Sequence, residues 1–78
     1  MKTIKVLGSG CKNCTNTAEM FETKAKAAGV EINLIKVTDM GEIMGYGVMS
    51  TPGVVIDETL VHAGGTPTLA QIEDWLKA

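Results

Sequence analysis

The sequence predicts one α/β domain over residues 1–78, built in the order β-α-β-α-β-β-α as a four-stranded mixed sheet flanked by helices. Three observations predict it. Runs rich in Val, Ile and Leu at 2–7, 30–37, 54–56 and 60–63 alternate with stretches whose apolar residues recur every three or four positions. The first two runs are separated by a helical pattern of roughly five turns, enough for a parallel pair with a right-handed crossover. The last two runs are separated by a turn short enough for a hairpin.

The first strand runs from Lys2 to Leu7, with Ile4 and Val6 on one face and Thr3, Lys5 and Leu7 on the other. A helix follows from about Lys12 to Ala28, where Cys14, Ala18, Phe21, Ala25 and Ala28 keep the spacing of a buried stripe. Glu22 and Lys26, four apart in the favourable order, form a surface pair, and Gly29 ends the helix as a left-handed cap. Val30 to Val37 returns as the second strand.

Thr38 or Asp39 caps a short second helix, and Glu42, three residues after Asp39, completes a capping-box pattern. Ile43 and Met44 are expected to face inward, while Gly41, Gly45 and Gly47 weaken the helix. Met40, Met44 and Met49 read as flexible fillers of a core short of aromatics, and Tyr46 as a cover over the cysteine site. Ser50-Thr51-Pro52-Gly53 leads into the apolar strand Val54-Val55-Ile56, with proline confined to the strand's start. Asp57-Glu58-Thr59 turns the chain, and Leu60 to Ala63 pairs back, with His62 as a surface or lining residue. Gly64-Gly65 breaks this strand. Thr68 with Gln71 makes a second capping box, Leu69, Ile72 and Leu76 give the last helix a core face, and Trp75 anchors it.

The 78 residues include 45% hydrophobic but only 4% aromatic residues, so the core rests on aliphatic side chains. A net charge of −2 with no basic block points neither to nucleic acid nor to an anionic membrane surface. The amino terminus lacks the apolar core and cleavage site of a secretion signal, and no stretch is long enough to span a bilayer. These features imply a cytoplasmic protein, where two nearby cysteines are catalytic or metal-binding more often than a permanent structural bridge.

Cys11 and Cys14 are the only cysteines, set two residues apart where Gly8-Ser9-Gly10 leads into the first helix. Unpaired backbone N–H groups and the helix dipole favour a thiolate there. Lowering a thiol pKa from about 8.5 to about 7 raises the thiolate fraction at neutral pH from a few per cent to about half. Cys11 is the candidate nucleophile. Cys14, one turn further in, can resolve a mixed disulfide on Cys11. Lys12 adds positive potential, and the glycines, Gly10 nearest, give access. No zinc site is expected, because two cysteines and the distant His62 do not make four ligands. The rival reading is a soft-metal carrier, since a pair of thiolates suits copper(I).

The stretch Gly8-Ser9-Gly10-Cys11-Lys12-Asn13-Cys14, the segment Tyr46-Gly47-Val48-Met49-Ser50-Thr51-Pro52 and Ala63-Gly64 together resemble the thioredoxin fold in its smallest form. The resemblance is to the short thioredoxin-like redox-active disulfide proteins of bacteria and archaea, and it covers nearly the whole chain. It implies a thiol-disulfide oxidoreductase with no bound cofactor, with Cys11 as nucleophile and Cys14 as resolving thiol. It also implies that Pro52 is a cis-proline packed against the cysteines, and that the Thr51 backbone pairs with an extended substrate segment. Thr51, Pro52, Gly10 and Lys12 make up the expected substrate-binding set. The implied partners are a disulfide-containing protein or small molecule and a donor of the thioredoxin-reductase type, acting on a monomer. The chain departs from typical thioredoxins in having Lys12-Asn13 between its cysteines, no Trp before Cys11 and no acidic residue before Cys11 to relay a proton. The heavy-metal-associated domain, the family form of the soft-metal alternative, has a Met where this chain has Ser9 and gives Thr51-Pro52 no role. Some relatives of the thioredoxin-like group are linked to metal or arsenic resistance.

Overall fold

Seven elements form in the expected order in the computed structural model, which describes residues 2–8, 12–48 and 50–77. They are β1 (Lys2–Leu7), α1 (Lys12–Ala28), β2 (Ile32–Val37), α2 (Met40–Gly45), β3 (Gly53–Ile56), β4 (Thr59–Ala63) and α3 (Leu69–Lys77). The sheet order is β2-β1-β3-β4, with β1 parallel to β2 and antiparallel to β3, and β3 antiparallel to β4. It is therefore mixed and four-stranded, as the sequence predicts.

Gly29 closes α1 at φ +68°, and the N–H groups of Gly29 and Val30 return to the Lys26 and Ala25 carbonyls at 3.3 and 2.9 Å. This is a Schellman ending. It also explains why β2 starts at Ile32 rather than at the expected Val30, whose N–H is still engaged by the helix. The same turn leaves Ala28 exposed, so the buried stripe of α1 ends at Ala25 and gains Thr17 instead.

Two apolar clusters cover the two faces of the sheet. Ile4, Val6 and Val54 meet Ala18, Phe21 and Ala25 of α1 and Ile72 and Leu76 of α3 in the larger one, where Phe21 stacks on the half-buried Trp75 at 6.0 Å. Lys24 pairs with Glu73 at 3.0 Å and ties α1 to α3. The smaller cluster joins Leu7, Val37 and Val55 of the sheet to Ile43 and Val48. Only Ile43 is buried in the six residues of α2. Met40 and Met44, four apart, share its outward face at 56% and 69% exposure, which corrects the reading of both as core fillers; Met49 lies outside the described residues. Leu69 is likewise exposed, because α3 only reaches the sheet at Ile72.

The expected cap at Asp39 and the Thr68–Gln71 capping box both form. Asp39 Oδ1 accepts from Gly41 N and Glu42 N, and Thr68 and Gln71 exchange reciprocal side-chain to backbone bonds. The β3–β4 hairpin turns through Asp57 and Glu58 at φ +47° and +68°. Positive φ at both central positions matches the twist of a tight hairpin, but costs non-glycine residues about 1–2 kcal/mol each. Asp57 offsets this by bonding Thr3 through both its backbone N–H and its carboxylate, at 2.9 and 3.0 Å.

Candidate functional site

At the carboxyl end of β1 the chain reaches Gly8, whose N–H donates to Val37 O at 2.9 Å and so keeps the strand end beside β2. Cys14 lies directly over it in the first turn of α1, 6% exposed. A methyl group built on Gly8 would collide with Cys14 Sγ and stand 3.0 Å from its Cβ. Glycine is required at position 8 because the sulfur occupies the space of a side chain. The same methyl would stand 3.6 Å from Thr51 Cβ, so Cys14, Gly8 and Thr51 are packed in one place from three separate parts of the chain.

The bond between Thr51 and Pro52 is cis, Pro52 is fully buried and Thr51 is exposed. Gly64 N donates to Pro52 O at 3.0 Å, and Gly64 at φ +80° leaves only 3.2 Å between a built methyl and Ser50 Cβ. The β4–α3 loop is thereby fastened against the proline. His62, half-buried on β4, contacts Gly65 O through Nε2 at 3.0 Å and lies 5.9 Å from the Trp75 ring. It braces this loop from behind.

Thr17 is the buried polar residue of α1, and its hydroxyl donates to Asn13 O at 2.7 Å. That bond steadies the helical turn carrying the segment between the cysteines. Sequence reading missed Thr17, although its spacing of four from Asn13 and three from Cys14 was the available signal. Lys12 is the exposed first residue of α1. Cys11 and Gly10 lie outside the described residues.

Tyr46 does not cover the site. Its hydroxyl donates to Glu58 Oε2 at 3.1 Å and accepts from Lys5 Nζ at 2.7 Å, and Lys5 also pairs with Glu58 Oε1 at 2.7 Å. The contacts draw Tyr46 to the β3–β4 turn, at the other end of the sheet from Cys14. Hydrogen bonds from Lys5, then from Tyr46, hold the Glu58 carboxyl below the usual carboxylate range, and hydrogen bonds to Glu58, then to Tyr46, raise the Lys5 ammonium. Among the described residues no cluster of three or more His, Cys, Asp or Glu is placed to hold a metal ion.

A helix that carries the second cysteine of a Cys-x-x-Cys motif in its first turn, over a strand end that Thr51 of a cis Thr51–Pro52 bond also approaches, defines a thioredoxin-like α/β protein. The solved structures agree on the fold. Thioredoxin-2 of a malaria parasite superposes with a TM-score of 0.72 at 17% identity, over 99% of this chain and 82% of that one. Mitochondrial thioredoxin 3 of Saccharomyces cerevisiae gives 0.69 at 16%, over 97% and 76%. The model of the thioredoxin domain family matches residues 2–77, and the chain belongs to that family. It is 35% identical to a thioredoxin of Methanocaldococcus jannaschii over 78 residues, covering all of this chain and 90% of the relative. A thioredoxin of Methanothermobacter thermautotrophicus is 26% identical over 73 residues, covering 94% and 95%.

Proposed function

We propose that this chain is a thiol-disulfide oxidoreductase in which Cys11 attacks a substrate disulfide and Cys14 resolves the mixed disulfide. The observation that carries the reading is that Cys14 and Thr51, the residue before the cis-proline, both close on Gly8, within a chain of the thioredoxin domain family. In the proposed cycle two electrons pass to the substrate and the Cys11–Cys14 disulfide forms. A donor of the thioredoxin-reductase type then restores the dithiol.

Thr51, exposed beside the buried Pro52, offers backbone groups to an extended substrate segment, and Gly10 and Lys12 complete the proposed substrate-binding set. We place the protein in the cytoplasm as a single-domain monomer working in the reducing direction without a bound cofactor. No helix among the described residues is long and apolar enough to cross a membrane. The rival soft-metal carrier draws no support from the relatives reported above.

Redox titration in dithiothreitol buffers, read by thiol alkylation and mass spectrometry with metal removed, tests the reading. A reversible two-electron couple between about −270 and −120 mV is expected. Failure to form an intramolecular disulfide at any potential would overturn it. Cys14→Ser should trap substrate on Cys11, and Cys11→Ser should abolish turnover.

A further inference from the structure

Leu69 is an apolar residue that the core does not use. It is 49% exposed at the start of α3, although helical spacing makes it part of the core face. It lines a groove of about 620 Å³ between α1 and the β4–α3 loop, with Thr66 from the loop and Asn16, Glu19, Met20 and Thr23 from α1. Met20 is half-buried against the larger cluster, so it and Leu69 give the groove its apolar surface. Lys24 also lines the groove but is paired with Glu73 at 3.0 Å, whereas Glu19 makes no ion pair among the described residues. The uncommitted charge in the groove is therefore negative.

Both sides of the groove lead back to the cysteine site. Lys12, Asn16, Glu19 and Thr23 recur at intervals of four, three and four residues along α1, so they share one face that starts at the turn carrying Cys14. Thr23 lies eleven residues beyond Lys12, about 16 Å at the helical rise, which is the length of about five residues of extended chain. The other side is anchored to the proline. Gly64 N donates to Pro52 O at 3.0 Å, His62 Nε2 contacts Gly65 O at 3.0 Å, Pro67 is fully buried, and the Thr68–Gln71 bonds fix the start of α3. Leu69 is thus held outward by its neighbours, and the groove is formed before any partner arrives.

We propose that this groove is a docking site for a protein substrate, taking an extended segment of about five residues next to the substrate's disulfide, with an apolar side chain on Met20 and Leu69 and a lysine or arginine at Glu19. The proposal rests on the redox reading above and selects, of the two substrate classes open to that reading, protein rather than small molecule. A disulfide with no flanking chain gains nothing from the groove, whereas a protein carries its own chain past Thr51 and into it. Burial of the apolar side chain supplies most of the affinity. The charge at Glu19 is exposed and screened, so it selects among chains more than it holds them.

The test uses the full chain, reduced with dithiothreitol and then freed of it, and two peptides whose single cysteine is held in a mixed disulfide with thionitrobenzoate, a coloured leaving thiol. One peptide has Leu and Arg within about five residues on both sides of the cysteine, and the other has Ser and Glu in their places. Each second-order rate is divided by the rate of the same variant with the small disulfide dithiobis(nitrobenzoate). On this scale the Leu-Arg peptide should react about tenfold faster than the Ser-Glu peptide. Leu69→Ser should remove about fivefold of that preference and Glu19→Lys about twofold, and only the Glu19 part should fade in high salt. No preference in the parent chain, or a preference that neither substitution changes, would overturn the proposal. Sedimentation in which the parent self-associates and Leu69→Ser does not would also overturn it, by assigning the groove to a second copy of the chain. None of these outcomes touches the redox reading, which is judged separately by whether the parent reduces the small disulfide and forms its own.

Discussion

The two faces of the sheet are held by different means. On one, a 17-residue helix and a nine-residue helix bury Phe21, Ile72 and Leu76 against the strands. On the other, a six-residue helix inserts Ile43 alone, and the Lys5–Tyr46–Glu58 group latches its carboxyl end to the sheet. Burial of large apolar side chains is non-directional and strong, whereas exposed polar contacts are weaker and depend on conditions. The first face therefore sets stability and carries Cys14. The second sets how the loop leading to Thr51 and Pro52 leaves α2.

Truncating Phe21 tests the first half of that contrast most severely. Phe21→Ala removes a fully buried ring and its stacking on Trp75, and should cost about 3–5 kcal/mol in denaturant unfolding. Ile43→Ala, on the thinner face, should cost about 2–4 kcal/mol. Equal losses at the two sites would remove the asymmetry. Gly8→Ala forces Cys14 aside and should cost about 1–3 kcal/mol, with a change in the potential of the cysteine pair that neither core truncation produces.

The latch has its own pH signature. The Glu58 carboxyl is held low by Lys5 and Tyr46, so its contribution is present above the ordinary carboxylate pKa of about 4.3 and is lost as pH falls through the lower folded value. The Lys5 contribution, from a raised ammonium, is complete below about pH 10.4 and fades only as pH rises through its folded value. Between pH 6 and 9 both are constant. Tyr46→Phe should lower the melting temperature by a few degrees at pH 7, with a gap to the parent chain that narrows below pH 4. The smallest effects belong to Met40→Lys and Met44→Lys, which should stay within about 0.5 kcal/mol because neither side chain is buried.

Element order, strand pairing and most caps were legible in the sequence because local signals agreed with one another. Gly29, Asp39 and the Thr68–Gln71 pair each act within a few residues of themselves. What was misread depended on partners distant in sequence. Met44 and Leu69 fit helical spacing, but the spacing does not say how much of a six-residue helix meets the sheet, or at which turn α3 arrives. Tyr46, set between Gly45 and Gly47, reads as a cover over the cysteine site, and only the fold shows Lys5 and Glu58 drawing it the other way. The cysteine motif and the proline were recognisable as types. That Gly8 forms the surface on which Cys14 rests, and that Thr17 steadies the turn between the cysteines, required the packed structure.

Because Pro52 is fastened by the Gly64 amide, the site is completed by residues that leave the ribosome more than half a chain after Cys14 does. The sulfur emerges early in synthesis, and the parts that enclose it emerge late. A nascent chain thus presents its reactive pair uncovered, to any oxidant or thiol in its surroundings, until the β3–β4 hairpin has docked on β1.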